Sequence, residues 1–244
     1  MFRFVYVSLY ACLSNTCFLM TQAFCQPISA GIKIGIQNQR NSVELSKVGP
    51  FSIITSPDAG FDELSFHIFG RYEMLRFFVQ TEFRYCESHI SYILKNIDPY
   101  NSKYKEFKPF DVLTYSDDVN RYDFSIIVGY KVNKWLRFNT GLTPSFSSRP
   151  NYNTPFSNGI TIDMVDDITR SYIRTQLYAS AGVGVDWGRF SVDFTHERPL
   201  TPVSKTLVWR NEVSSFRRLS QRSFISVGYR FYPFPKLKRI KQSE

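Results

Sequence analysis

Few side chains in this sequence could do chemistry, and they are scattered. There are three histidines, His67, His89 and His196, and four cysteines, Cys12, Cys17, Cys25 and Cys86. No CxxC pair and no His/Cys cluster provides metal-ligand spacing. There is no phosphate-cradling glycine loop and no glycosidase-like pair of carboxylates. His196 is the best candidate base, in Phe194-Thr195-His196-Glu197-Arg198. A serine on the same face of the strand would complete a nucleophile–base pair. Positions 198 and 200 hold Arg and Leu instead. His196 therefore reads as a rim histidine that hydrogen-bonds head groups. The expectation is no enzyme, no cofactor, no metal and no small-molecule substrate.

What the chain does have is charge at every second position. Arg71 and Glu73 share a parity, as do Glu82 and Arg84, Asp123 and Lys131, and Asp186 and Arg174. Successive side chains on a strand point to opposite faces, so each such stretch has one charged face and one apolar face. The closing stretch Ser223–Phe231 is typical. Val227, Tyr229 and Phe231 lie on one side, and Phe224, Ser226, Gly228 and Arg230 on the other.

Eight stretches alternate in this way: Ala30–Gln37, Leu64–Glu73, Leu75–Cys86, Tyr122–Val132, Leu136–Leu142, Ile173–Trp187, Phe190–Glu197 and Ser223–Phe231. Short links at Glu73-Met74, Asn133-Lys134 and Gly188-Arg189 alternate strictly with long links at 38–63, 87–121, 144–172 and 198–222. That is the asymmetry of a bacterial barrel, with tight periplasmic turns, long external loops and an even strand number. The fold class expected is all-β: an eight-stranded antiparallel up-and-down transmembrane β-barrel in the outer membrane. Closure follows because an unpaired backbone group in lipid costs several kcal/mol.

Inward parity collects Lys33, Arg71, Arg76, Arg84, Lys131, Arg137, Arg174 and Arg230 against Glu73, Glu82, Asp123, Asp186, Asp193 and Glu197. Eight strands enclose only enough room for side chains, and buried charges must be paired. The reading is a packed salt-bridge network, with a narrow polar channel as the alternative. Gly31, Gly35, Gly129, Gly141, Gly182, Gly184 and Gly228 are expected to make room for long arginines.

The N-terminus differs from the rest. Between Arg3 and Lys33 there is no charge, and Ala23-Phe24-Cys25 offers a cleavage site. Met1–Cys25 reads as a secretory signal with mature Gln26. Residues 26–235 are then the barrel and 236–244 a basic periplasmic tail. Only Cys86 remains after cleavage, so no internal disulfide forms. Without Arg3, 29 basic residues face 21 acidic ones, a net charge of +8. For an exported chain this suits acidic lipid, lipopolysaccharide or an acidic partner, not nucleic acid. The loops mix aromatic and basic residues, Tyr92, Lys95 and Lys103 in one and Arg210, Arg217, Arg218 and Arg222 in another, which suits protein contact.

Several motifs also carry a resemblance: Arg121-Tyr122-Asp123-Phe124, Val183-Gly184-Val185-Asp186-Trp187, Asp193-Phe194-Thr195-His196-Glu197-Arg198 and Val227-Gly228-Tyr229-Arg230-Phe231. With the size and the signal, the chain resembles the PorT family of small outer-membrane barrels of the type IX secretion machinery. The resemblance implies a non-enzymatic accessory role in protein export, alongside other secretion-system proteins. The alternatives are a stand-alone structural or adhesive barrel of the OmpX kind and, behind it, a lipid-modifying enzyme.

Overall fold

The computed structural model describes residues 28–43, 46–48, 51–55, 63–96, 112–148, 151–153, 166–209 and 212–231. The expected signal, 1–25, and the basic tail, 236–244, lie outside them. Eight long strands form the wall: β1 (Ile28–Val43), β4 (Glu63–Met74), β5 (Phe77–Asn96), β6 (Val112–Lys131), β7 (Leu136–Ser147), β9 (Thr175–Trp187), β10 (Phe190–Pro199) and β12 (Glu212–Arg230). Four short strands extend it: β2 (Ser46–Val48), β3 (Phe51–Thr55), β8 (Asn151–Asn153) and β11 (Ser204–Trp209).

Each wall strand pairs antiparallel with two others, and β1 closes on β12 from Gly31↔Arg230 to Val43↔Arg218. The cylinder therefore has no open edge where it meets hydrocarbon. Period two decides what faces where. Ile32, Ile34, Ile36, Phe66, Ile68, Val128, Val192 and Val227 are all exposed on the outside. Aromatic pairs bound this band. Phe77 and Tyr130, Phe190 and Tyr229, and Tyr229 and Phe231 lie 5.2–5.7 Å apart at the end with the short turns. Tyr85 and Tyr122 lie 5.4 Å apart at the other end. The outward ladder then turns polar at Asn38, Glu87, Asn120 and Gln221. An apolar belt between aromatic girdles is the exterior of a membrane-spanning barrel, with the short turns on the periplasmic side.

Three sequence expectations are corrected. The first turn is Leu75-Arg76, not Glu73-Met74, because Met74 pairs with Phe77. Leu75 takes a φ of 54°, which a tight hairpin needs but leucine rarely adopts, so the residue type hid the turn. Gly188 does the same job at φ 62° in the third turn. Second, the long links are not all loop. β5 and β6 stay paired as far as Lys95↔Val112, well past the polar rim. β3 pairs the top of β5, β8 pairs β6 and β11 pairs β12. Third, only Gly184 makes room for an arginine, Arg137, while Gly31 and Gly129 clear space for the rings of Phe69 and Phe78.

Val227 lies at the middle of the apolar band on β12, between Ile34 of β1 and Val192 of β10. A charge there must sit in hydrocarbon. Val227→Arg is expected to destabilise the refolded barrel by about 2–4 kcal/mol. Equilibrium urea unfolding in lipid or detergent measures this, and a change near zero would refute the lipid-facing placement.

Candidate functional site

The lumen is the site that the wall builds. Inward positions mix charged and aromatic side chains with glycine and serine, and long side chains reach acids on other strands. Near the periplasmic end, Glu73 at the foot of β4 accepts from Arg230 at 3.0 Å and pairs with Lys131. One layer up, Asp186 receives Arg137 at 3.1 Å and Arg71 at 3.3 Å. Asp193 pairs with Arg137 at 2.6 Å and Lys33 at 3.2 Å. Lys33 also reaches Glu82 at 2.7 Å, and His67 Nδ1 meets the same carboxylate at 2.7 Å. In the upper layer, Asp123 and Glu197 share Arg84 and Arg222, at 2.6–3.0 Å.

Aromatic rings cover the faces of these guanidinium groups. Arg84 sits 3.7 Å from the Phe224 centroid and Arg222 3.5 Å from that of Tyr178. Arg71 and Arg137 both lie over Phe78. A planar cation stacks through its faces and hydrogen-bonds through its edge, so ring and carboxylate do not compete. These groups are buried from the periplasmic layer to the upper layer, which fits a lumen filled by side chains.

Two residues expected in this network are elsewhere. Arg76 is exposed in the first turn, where Nη1 donates to Tyr130 Oη at 3.2 Å. The turn lies two residues later than the period-two count placed it. Arg174 is exposed at the outer end of β9, just before the strand begins at Thr175. The other expected positions, Lys33, Arg71, Glu82, Arg84, Asp123, Lys131, Arg137, Asp186, Asp193, Glu197 and Arg230, point inward and carry the contacts above. Gly228 packs against Ser191 and Lys33, while Tyr229 and Phe231 lie outward.

Sequence reading missed Arg222 and Arg121, which it left in loops. Both keep the inward parity of Phe224 and Asp123, so carrying the alternation one step further would have found them. Arg121 donates to Gln37 Oε1 at 2.6 Å and to Cys86 Sγ at 3.1 Å. Cys86 is fully buried beside it, a packed thiol and not an accessible nucleophile. Above them Glu63 is bonded by Gln37, Ser88 and the His89 backbone N–H.

His196 does find a serine, from the neighbouring strand. Its Nδ1 lies 2.9 Å from Ser223 Oγ on the outer face, where β10 and β12 pair directly. A catalytic pair also needs a group to orient the imidazole and donors for an oxyanion. Among the described residues no carboxylate bonds His196, and Glu197 points to the lumen. The surrounding backbone N–H groups belong to the sheet ladder. The pair therefore makes a polar step at the upper edge of the apolar band.

Among the described residues a shallow basic cleft opens between the first two periplasmic turns, lined by Leu75, Arg76, Lys131, Val132, Asn133 and Lys134. No described group of His, Cys, Asp and Glu has the arrangement of a metal site.

Asp123→Ala removes the carboxylate shared by Arg84 and Arg222. The expected loss is about 3–5 kcal/mol, because two cations stay buried with one acid between them. Chemical unfolding of the refolded protein reads this, and a loss below about 1 kcal/mol would contradict a tightly packed network. His196→Ala is expected to leave the acylation of outer-membrane lipid unchanged, as read by mass spectrometry of extracted lipid. An altered acyl pattern would make the Ser223–His196 pair a catalyst.

No protein-family model matches the chain, and no curated protein matches its sequence. Among solved structures it is similar to Ail, the attachment invasion locus protein of Yersinia pestis, solved with the heparin analogue sucrose octasulfate. The identity is 14%, with 84% of this chain and 99% of Ail covered and a TM-score of 0.44. It is also similar to the outer membrane protein OprG of Pseudomonas aeruginosa, at 8% identity over 84% of this chain and 94% of OprG, with a TM-score of 0.45. The outer membrane protein AlkL, solved in lipid bilayers, matches at 10% identity over 85% of this chain and 90% of AlkL, with a TM-score of 0.43. Closure of the wall rests on its own strand register, and the apolar belt makes this an outer-membrane β-barrel.

Proposed function

We propose that this barrel is a non-enzymatic accessory of protein secretion, of the PorT kind in type IX export, working through its two ends. The observation that carries this is the filled lumen. Ion pairs and hydrogen bonds run through it from Glu73 at the periplasmic end to Glu63 below the outer extension, which supports a packed interior over a transport channel. Function then falls to the rims. At the periplasmic end the basic cleft at Arg76 and Lys134 fits an acidic partner protein. The basic tail expected at 236–244 would add to that charge. At the outer end, exposed Arg40 and Arg198 sit just above the apolar band, where lipopolysaccharide phosphates lie. Gene deletion is expected to trap secreted cargo inside the cell envelope, as read by comparing culture supernatant with periplasm. Normal export after deletion would overturn the secretion role.

The second reading, a stand-alone OmpX-like structural or adhesive barrel, is favoured by the paired strands that rise past the membrane. It predicts that shortening β5 and β6 alters surface binding while export continues.

A further inference from the structure

Above the charge network the barrel interior becomes apolar. Ile53, Leu94, Val203, Leu207 and Phe216 are all buried there, in the part of the wall beyond the polar rim. Among the described residues, one buried cation lies in this layer. Arg218 of β12 faces inward and is 1% exposed. It is level with Val43 of β1 and Ser204 of β11. Tyr92 and Tyr172 lie against its guanidinium, with ring centroids 5.4 and 5.0 Å away.

Arg218 departs from a rule that four other inner arginines follow. Arg71, Arg84, Arg137 and Arg222 each combine an aromatic face with a carboxylate at the edge. Arg218 has the aromatic faces and no described carboxylate. Its Nε and Nη2 are buried without a hydrogen-bond partner, and so is Ser220 Oγ, the next inward side chain along the strand. Burial pushes the guanidinium pKa down, to about 9, with no acid opposing it. The group stays charged at neutral pH. A buried charge without a counter-charge is costly. Water could satisfy the N–H groups but not the charge. A small anion satisfies both, and the in-plane N–H edge that the rings leave bare is where anions bind a guanidinium.

We propose that Arg218 and Ser220 form a binding site for a small inorganic anion, of halide size, sealed between the charge network and the apolar cap. Its enclosure selects a free ion over a lipid phosphate, whose acyl chains and sugars could not follow it inside. The site goes beyond the secretion reading and does not depend on it.

The probe is bromide. Crystals of the full mature chain grown in bromide are expected to show an anomalous peak within hydrogen-bonding reach of Arg218 Nε or Nη2. The peak should vanish in Arg218→Met. In detergent at fixed ionic strength, replacing gluconate by bromide should raise the thermal midpoint of the wild type by about 2–4 °C. Arg218→Met should show no such difference. Ser220→Ala, a milder change, should need more bromide for the same rise. Equal wild-type midpoints in the two salts, or a bromide response that survives Arg218→Met, would overturn the proposal. Should Arg218→Met fail to fold, the wild-type salt comparison and Ser220→Ala still decide it.

Discussion

The structure depends on one requirement: in hydrocarbon every backbone N–H and C=O must find a partner within the protein. A sheet meets it only by closing, and here closure is the pairing of β1 with β12. That pairing joins residues almost 200 positions apart, such as Gly31 and Arg230. Once the circle has eight strands its radius is set, and so is the volume inside. The lumen then has to be filled, because a void costs packing and a water-filled gap would leave long cationic side chains unsupported.

The filling follows a consistent arrangement. Acids from one side of the cylinder meet arginines from the other, and rings cover the guanidinium faces. Asp123 on β6 and Glu197 on β10 are brought together by Arg84 on β5 and Arg222 on β12. Four strands that do not all touch as neighbours are thereby tied across the axis. Such pairs do little for stability compared with well-packed apolar residues. They do fix which strands may face one another, since any slip by one residue would carry the charges into lipid. The network therefore acts on register more than on net stability.

Beyond the membrane the same wall carries a different interior. Water can reach the outer surface there, so the outward ladder turns polar at Glu87 and Asn120, while inward positions become apolar at Leu94 and Phe216. Seen along β12, the inward residues run from Arg230 through Arg222 and Arg218 to Phe216, a passage from charge network to apolar cap. Both rims stand clear of the hydrocarbon, and the centre between them is filled with paired charge.

Much of this could be read from the chain alone. Strand number, the alternation of short and long links, and the inward parity of Arg84, Asp123 and Glu197 follow from period two, because a pleated strand can only alternate. Strand ends could not be read that way. Leu75 occupies a backbone region that its residue type disfavours, and this moved Arg76 from the lumen to the periplasmic turn. The external halves of β5, β6 and β12 lost the apolar-outside signature when they left the lipid, so Arg121, Arg218 and Arg222 looked like loop residues. Partners were also beyond reach. His196 meets Ser223, and Arg222 meets Asp123, across strands whose order and stagger only the closed sheet fixes. Sequence determined the face of each residue within a strand, since that is local geometry. Tertiary structure alone decided which residues face each other across the barrel, because that depends on how the cylinder closes.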